Sequence, residues 1–325
     1  MTGPRILLIK SSGYDISYSY AGHRMKEKII KNNKPRVSIG LPVCNGENYL
    51  KEALDSILAQ TYTEFELIIS DNASTDSTPR ICQAYTDKDP RIRYYRNEKN
   101  LGAAWNFNHV FEMSYGEYFK WAAHDDIIAP DYILKCVKVL DNDNSIILCN
   151  SRAKFIDKSG KIIADYNISS QKANSPKPQD RFGFLIFFDH WCFDVFGLIR
   201  SDYLRRTSLI KAYPGSDRAL LAELGLLGRF YEVPEHLFFN REHAERSVRA
   251  HAKIRLRAGW FDTSKEGKIA QPQWGVFFQY LRSVNHFPLD LYDKACCYMH
   301  IGKWVSMYYR SMAKELIFTF IYYLN

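Results

Sequence analysis

Long apolar runs are absent from this sequence of 325 residues. The longest, Leu316 to Leu324, is interrupted by Thr319, so no segment approaches the ~20 apolar residues of a membrane-spanning helix. The apolar run at residues 6–9 is too short for the hydrophobic part of a signal peptide. The seven cysteines form no CxxC pair and no zinc-binding spacing, which favours reduced thiols. We therefore expect a cytoplasmic protein.

Acidic residues are in the minority, because 36 Asp and Glu stand against 44 Lys and Arg and leave a net charge of +8. A basic protein suits anionic partners, which include nucleic acid, a membrane surface and phosphorylated substrates. Charge alone does not choose among these partners. Hydrophobic residues make up 46% of the chain, which is enough for one large core or two smaller ones.

Apolar segments of strand length alternate with amphipathic segments of helical length from residue 37 onward. The segment at residues 48–60, for example, carries Leu50, Leu54 and Ile57 on one helical face. Such alternation is typical of a mainly parallel α/β sheet, in which ligands bind beyond the carboxyl ends of the strands. The first strands are predicted at residues 37–42, 65–70, 92–96, 117–122 and 145–150.

Polar clusters follow three successive predicted strands. Asp71 ends the second strand, Asn100 and Gly102 follow the third, and Asp125 and Asp126 follow the fourth. Because adjacent carboxylates repel each other, this last pair is either a solvated turn or a site for a divalent cation. Its position directly after a buried strand favours the cation.

Other acidic and polar clusters have ordinary explanations. Two more Asp-x-Asp triplets, at residues 87–89 and 141–143, lie at predicted helix ends, and we expect both to be solvated turns. Ser74, Asp76 and Thr78 lie between a strand and a helix, where capping is their favoured role.

The pattern changes after residue 150. A hairpin is predicted around residues 158–160, and a polar loop at 169–180. The apolar segment 181–191 is a helix or a strand, and its pattern does not decide between them. A helix is predicted at 216–230 with Ser216 or Asp217 as its cap, followed by a strand at 231–241 and by helical structure beyond residue 245.

Four segments in this order resemble the inverting family 2 glycosyltransferases of the GT-A fold, in their bacterial form. They are PVCNGENYLKEALDSILAQTY, FELIISDNASTDST, NLGAAWNFN and the acidic HDD. The resemblance runs from about Val37 to Val248, roughly two thirds of the chain, and the combination is specific although no single motif is. It implies an α/β fold with a mixed, mainly parallel sheet flanked by helices, followed by a C-terminal helical extension.

The resemblance also implies roles for individual residues. Asp71 would hold the nucleotide base, usually uracil, and Asp126 is the second Asp of the acidic motif, which is the usual metal ligand. Two positions depart from the family pattern, because Cys44 stands where Tyr is common and Asn72 where a second Asp is usual. The nucleotide-sugar pocket is expected to include Pro42, Val43, Asn45, Glu47, Asp71, Asn100, Gly102, Asn106 and Asp125.

By the same resemblance Asp217 matches the catalytic base, which deprotonates the attacking hydroxyl; without the resemblance, a helix cap is its favoured role. His243 follows the strand segment FFNR, where related enzymes often place a His near the metal or the diphosphate, and a structural His is the alternative. His190 and Trp191 are candidate acceptor residues because sugars stack on aromatic faces, with simple packing as the alternative.

The implied activity is metal-dependent, inverting transfer from a nucleotide sugar, UDP-linked, to a hydroxyl of a polysaccharide or lipid-linked oligosaccharide. Mn²⁺ or Mg²⁺ is the expected cofactor, because a divalent cation offsets the charge of the leaving diphosphate. Nucleic acid is not an expected partner. The alternative is a basic surface- or membrane-binding protein that keeps the fold without turnover. A dinucleotide oxidoreductase is disfavoured, because the first strand is followed by Asn45-Gly46-Glu47 and not by GxGxxG.

The chain is expected to have three regions. They are an N-terminal extension (1–36), a GT-A domain (37–248, with a nucleotide-sugar half 37–150 and an acceptor half 151–248) and a basic, aromatic helical region (249–325). In the last region Ile301, Trp304, Val305 and Tyr308 share one helical face. Such a helix either makes a peripheral contact at the inner face of the cell membrane or packs on the catalytic domain, and packing is favoured.

Overall fold

The computed structural model describes residues 34–187, 191–244, 246, 254–268 and 270–324. Strands and helices alternate through its first part, as the sequence predicts. In chain order they are β1 (Val37–Val43), α1 (Leu50–Leu58), β2 (Phe65–Asp71), α2 (Thr78–Thr86), β3 (Ile92–Arg96), α3 (Ala103–Glu112), β4 (Tyr118–Trp121), β5 (Ile127–Ile128) and α4 (Tyr132–Asn142).

The second part is more irregular and includes short 3₁₀ helices at Gln171–Asn174, Phe193–Phe196 and Thr263–Lys265. The predicted hairpin is confirmed as the antiparallel pair β6–β7. The elements are β6 (Ile146–Ile156), β7 (Ile162–Tyr166), α5 (Pro178–Phe187), β8 (Leu198–Arg200), α6 (Ser201–Leu204), α7 (Ser216–Leu227), β9 (Arg229–Arg241), α8 (Ile254–Phe261), α9 (Pro272–His286) and α10 (Leu291–Leu324).

One mixed sheet organises these strands in the order β3–β2–β1–β4–β8–β6–β9–β5, with β7 beside β6. The first four strands of this order are mutually parallel. Strand β8 runs antiparallel to its neighbours β4 and β6, and β9 returns parallel to β6. The carboxyl ends of β1, β2, β3 and β4 therefore meet at one edge, which is where the predicted polar clusters lie.

The structure corrects two local expectations. The segment 169–180 is not simply a polar loop, because it forms a 3₁₀ helix that buries Ala173 and then begins α5. The undecided segment after residue 180 is helical as far as Phe187. The helix predicted at 216–230 ends at Leu227, because Gly228 is extended and the next residue begins β9.

The two other Asp-x-Asp triplets, at residues 87–89 and 141–143, lie at helix ends and are largely exposed, as predicted, but Asp89 and Asp141 are held in ion pairs. Asp141 accepts bonds of 2.8 and 2.5 Å from the guanidinium of Arg36 and one of 2.7 Å from the hydroxyl of Tyr118. Asp89 accepts a bond of 2.7 Å from Arg91. The bonds from these arginines hold the pKa values of both carboxyls below their usual range. Arg91 is only two positions from Asp89, whereas Arg36 reaches Asp141 from 105 positions away, which the local pattern did not show.

The described residues from 35 onward form one compact unit, and the C-terminal helices are part of it. Ile301 and Trp304 of α10 are buried in a cluster with Phe182 of α5, Ala219 of α7 and Tyr280 of α9. The packing alternative for this face of the helix is therefore confirmed. The division of the chain into regions 1–36, 37–248 and 249–325 stays a prediction.

A lysine side chain is buried inside this fold. Lys120 on β4 is 1% exposed, and its ammonium group donates to the carbonyl oxygen of Phe196 and lies 4.6 Å from the centre of the Tyr132 ring. Burial lowers the pKa of Lys120 from 10.5 to about 8. A lysine that is more acidic in the folded state than in the unfolded state destabilises the fold at pH 7.

We expect Lys120→Met to raise the free energy of unfolding at pH 7 by roughly 1–3 kcal/mol, since each pKa unit corresponds to about 1.4 kcal/mol and one hydrogen bond is lost. The Phe196 carbonyl keeps its bond from the Tyr132 hydroxyl. Between about pH 8 and 10.5 the unfolded wild type binds more protons, so its stability should rise with pH towards that of the variant. Urea unfolding at pH 7 and pH 9.5 measures both effects. A less stable variant at pH 7 would show that the ammonium contacts outweigh burial.

Candidate active site

The loops after β1 and β2 are held together by reciprocal hydrogen bonds. The Asn45 backbone N–H donates to Ser74 Oγ at 2.9 Å, and Asn45 Oδ1 accepts from the Thr75 N–H at 2.8 Å. In the same way, the Glu47 N–H donates to Asp76 Oδ2 at 3.0 Å. The side chains of Asn45 and Asp76 thus join the loop after β1 to the loop after β2.

The predicted capping roles are only partly correct. Thr78 Oγ1 accepts from the Gly46 N–H at 2.8 Å, so both Ser74 and Thr78 bond across to the first loop. Only Asp76 also serves the helix, because its Oδ1 accepts from the Thr78 N–H at 2.9 Å. Ser77 takes the cap position, without a side-chain bond.

Asp71 lies at the carboxyl end of β2 and is fully buried. Its Oδ1 accepts from the Ser74 N–H at 2.8 Å, and its Oδ2 accepts from the Tyr94 hydroxyl at 2.9 Å and lies 3.3 Å from Arg96 Nε. Because Asp71 is fully buried, a direct bond to a nucleotide base would require the residues around it to move. Its predicted contact with the base stays a prediction.

The departure from the family pattern at position 72 has a structural consequence. Asn72 Oδ1 accepts from the Leu101 N–H at 3.0 Å, and its Nδ2 donates to Asn100 Oδ1 at 2.8 Å. Asn100 Nδ2 in turn lies 3.7 Å from the Cys44 thiol. The two unusual residues, Cys44 and Asn72, therefore hold the loop after β3, and a carboxylate at position 72 could not donate the bond to Asn100.

The remaining predicted nucleotide residues lie at or behind the edge. Gly102 has φ of +89°, and a side chain there would come within 2.5 Å of the Phe261 carbonyl oxygen, so glycine is required. Asn106 is 3% exposed and bonds to Ser70, with Oδ1 to Oγ at 2.6 Å and Nδ2 to O at 2.9 Å. Its position favours a structural role. Pro42 and Val43 are buried at the end of β1.

Asp125 and His243 meet beyond the ends of β4 and β9. His243 Nε2 lies 2.9 Å from Asp125 Oδ2, although the two residues are 118 positions apart. The His243 ring lies 4.7 Å from that of Tyr49, and its Nδ1 is buried without a hydrogen-bond partner. Burial alone would raise the pKa of Asp125, but the charge of His124 and the bond to His243 outweigh burial and hold the pKa below its usual value.

Asp126 points elsewhere and is buried. Its Oδ1 accepts from Asn240 Nδ2 and from the Arg241 N–H, both at 2.9 Å. Burial and the charge of Asp125 raise the pKa of Asp126 to about 7. The adjacent carboxylates thus differ, because Asp126 is tied to β9 and Asp125 is the more exposed and more acidic of the two.

The sequence did not identify Arg241, which is fully buried. Its guanidinium donates to Glu52 Oε2 at 2.6 Å, to the Asp125 carbonyl at 2.9 Å and to the Asp157 carbonyl at 3.2 Å. It therefore connects α1, the acidic loop and the β6–β7 turn. The only feature of the sequence that could have indicated Arg241 as a site residue is its position at the end of a long strand, after Asn240.

Asp217 lies in the first turn of α7, but it is not the cap. Gly215, with φ of +88°, occupies the cap position, so the prediction of Ser216 or Asp217 there is wrong. A left-handed residue before the helix favours glycine. Asp217 Oδ1 accepts from the N–H of the next residue, Arg218, at 2.8 Å, and the carboxylate also bonds with the buried Cys192 thiol.

Trp191 is half-exposed and lies close to the helix that carries Asp217. Burial raises the pKa of the adjacent Cys192 thiol, and the Asp217 carboxylate beside it raises that pKa further. The Arg246 guanidinium lies 4.7 Å from the centre of the Trp191 ring, and its charge also acts on Asp126. Arg246 thus lies between Trp191 and the loop that carries Asp125 and Asp126. The other predicted acceptor residue, His190, is outside the described residues.

The donor set of Asp125 and His243 fits a divalent cation. No group of three or more His, Cys, Asp or Glu side chains in the described chain forms a metal site. A catalytic Mg²⁺ or Mn²⁺, however, typically takes one or two protein ligands and completes its coordination with substrate phosphates and water. Asp125 Oδ2 and His243 Nε2 would meet that need if the bond between them gave way to the ion, with the imidazole proton on the buried Nδ1.

Known proteins share this sequence pattern. An uncharacterized glycosyltransferase of Rickettsia typhi is 42% identical over 118 residues, covering 35% of this chain and 36% of the relative. Chondroitin synthase of Escherichia coli is 33% identical over 149 residues, covering 45% of this chain and 22% of the synthase. Matches to five rickettsial relatives span only 20% to 38% of their lengths.

A solved structure shares the fold. S. aureus TarS 1–349 in complex with UDP-GlcNAc superposes with a TM-score of 0.61 at 14% identity, covering 85% of this chain and 73% of TarS. This likeness identifies the sheet and its helices as a GT-A fold. The sequence model described as Glycosyl transferase family 2 matches residues 38–204, about half of the chain. The chain therefore belongs to glycosyl transferase family 2.

Proposed function

We propose that this protein is a metal-dependent inverting glycosyltransferase, which moves a sugar from a UDP-sugar to a hydroxyl of a polysaccharide or lipid-linked oligosaccharide. The observation that carries the proposal is the pair Asp125 and His243, with Nε2 and Oδ2 2.9 Å apart at the edge where the parallel strands end. An acidic carboxylate beside an imidazole at this edge suits the diphosphate of a nucleotide sugar.

The donor pocket would lie over the three strand-end loops. Asn45, Glu47 and Asp76 fix the first two loops relative to each other, and Asn72 fixes the third. Asp71 and Asn100 would approach the uracil and ribose. The choice of UDP is supported by TarS, whose structure is a complex with UDP-GlcNAc, and the acceptor class by the match to chondroitin synthase.

Asp125 and His243 would hold Mn²⁺ or Mg²⁺, in place of the predicted ligand Asp126, which is engaged by β9. When bound, the cation offsets the negative charge that develops on the leaving diphosphate. Asp126 and Arg241 would keep the acidic loop in position from behind. Holding two ligands just beyond the ends of well-packed strands lowers the cost of ordering the site.

On the acceptor side Asp217 would take the proton of the attacking hydroxyl. Inversion requires attack from the face opposite the leaving group, so the base and the acidic loop belong on different sides of the sugar. Trp191 would offer an aromatic face to the acceptor, as sugars stack on such faces. In this arrangement residues 37–150 bind the donor and 151–248 the acceptor, in a cytoplasmic enzyme.

The experiment is a thermal-shift screen of nucleotide sugars with the full chain, with Mn²⁺, with Mg²⁺ and with a chelator. Binding to the native state raises the melting temperature, and a ligand at 100 times its Kd adds about 2.7 kcal/mol. We expect UDP-sugars to raise the melting temperature only when a divalent cation is present. Equal shifts with the chelator, or none with any UDP-sugar, would contradict the proposal.

A further inference from the structure

The last helix, α10, is much longer than the surface on which it packs. Its 34 residues extend about 50 Å, at about 1.5 Å per residue. Cys297, Ile301, Trp304 and Met312 lie on one face and are buried against the rest of the C-terminal cluster. Most side chains on the other face are exposed.

The usual polarity of a surface helix is reversed near the end of α10. Glu315 faces the protein, where it accepts from the backbone N–H groups of Gln273 and Trp274 at 3.0 and 3.4 Å. Thr319 also faces inward and accepts from Gln271 Nε2 at 2.7 Å. The apolar side chains are the ones that face outward. Leu316, Ile317, Phe318 and Phe320 are exposed to 48%, 57%, 51% and 68%.

From Tyr298 onward the exposed charges on this helix have one sign. Between Tyr298 and Tyr322 the basic side chains are Lys303, Arg310 and Lys314, all exposed, and Glu315 is the single acidic residue. Because Glu315 is engaged with the start of α9, the outer surface is basic and apolar together. This combination is typical of helices that lie in the interface of an anionic bilayer.

We propose that α10 binds this protein to the surface of an anionic lipid bilayer. Leu316, Ile317, Phe318 and Phe320 enter the interface, and the basic residues along the helix contact the headgroups. The helix lies on the bilayer, and no helix in the described parts of the chain has the length and hydropathy to cross one. The inference deepens the proposed function, because it rests on that function for its reason, access to a lipid-linked acceptor.

A second copy of the chain suits this surface less well. A twofold interface uses the same patch on both copies, so it would place Lys303, Arg310 and Lys314 near their counterparts. Like charges facing each other weaken an interface, whereas anionic headgroups neutralise them. The charge pattern therefore favours lipid.

The test is sedimentation of the full chain with vesicles of phosphatidylcholine alone or mixed with phosphatidylglycerol, without donor or acceptor. We expect binding to the anionic vesicles only. The variant Ile317→Ser/Phe318→Ser/Phe320→Ser should lose at least ~10-fold in the partition coefficient. The matched control, Ile162→Ser/Ile163→Ser, removes equally exposed apolar side chains from β7 and should bind like the wild type.

Several outcomes would overturn the proposal. They are equal binding by the wild type and the α10 variant, no binding by the wild type, and a wild-type dimer that the variant abolishes without any vesicle binding. The substituted side chains are exposed, so a melting temperature near that of the wild type verifies the fold. Transfer to a soluble acceptor is measured separately, so loss of vesicle binding and failure of the proposed activity are distinguishable.

Discussion

Asp217→Asn should bind the donor and melt like the wild type, yet transfer sugar at least ~10²-fold more slowly, because an amide cannot act as a general base at neutral pH. Donor affinity should not change, since the described bonds of Asp217 are to Arg218 and Cys192 and not to the strand-end loops. The measurements are the rate of sugar transfer, the Kd of the UDP-sugar by calorimetry and the melting temperature.

The structure explains why stability should survive this change. Gly215 is the cap of α7, and Asp217 accepts from the Arg218 N–H and from the Cys192 thiol, both of which an amide oxygen can also accept. What is lost is the charge near the helix N-terminus, which is worth about 0.3–1 kcal/mol. Removal of a true N-cap side chain costs about 1 kcal/mol, and for the same reason Asp217→Ala should lose less stability than that.

The matched control is Asp202→Asn. Asp202 is also an acidic residue in the first turn of a helix, α6, and its side chain is 93% exposed. Transfer by this control should equal that of the wild type. Near-normal transfer by Asp217→Asn would refute the base assignment. Glu223 is a poor replacement, because its carboxylate accepts bonds from the Ser208 N–H, the Ser208 hydroxyl and the Ser283 hydroxyl.

Asp125→Asn should reduce Mn²⁺-dependent binding of the UDP-sugar and sugar transfer by at least ~100-fold each, the upper end for partners of a metal site. Its carboxylate faces His243 and is held ionised, so the amide removes both a ligand and a charge. Melting temperature without ligand should change little. Calorimetry with and without the cation separates metal-dependent binding from binding of UDP alone.

Asp126→Asn should behave differently, because an amide oxygen can still accept from Asn240 and Arg241. We expect it to keep most donor binding. Asp126→Ala should instead lose roughly 2–6 kcal/mol of stability, since two buried donors are left unsatisfied at about 1–3 kcal/mol each. Asp87→Asn, an exposed carboxylate bonded to Gln83, is the neutral control. A larger loss of metal-dependent binding in Asp126→Asn than in Asp125→Asn would restore Asp126 as the ligand.

Much of the fold could be predicted from local patterns. The strands β1 to β4 and the helices between them follow from runs of apolar residues and their spacing, because each element buries its own face in a shared core. The order of polar clusters along the chain also indicated which edge of the sheet carries the site. The short helix at residues 171–174 could not be predicted, because it lies in a polar segment and its single buried residue, an alanine, gives no apolar periodicity.

The sequence by itself therefore determined the α/β class, the family and the edge of the sheet at which the site lies. Only the tertiary structure decided the partners of the acidic residues. It paired Asp125 with His243, tied Asp126 to β9, gave Asp141 to Arg36 and put Gly215 in the cap position that Asp217 was expected to share. The physical reason is that periodicity reports how each segment buries its own side chains. The partner of a carboxylate depends on residues more than a hundred positions away, which reach it only when the sheet has formed.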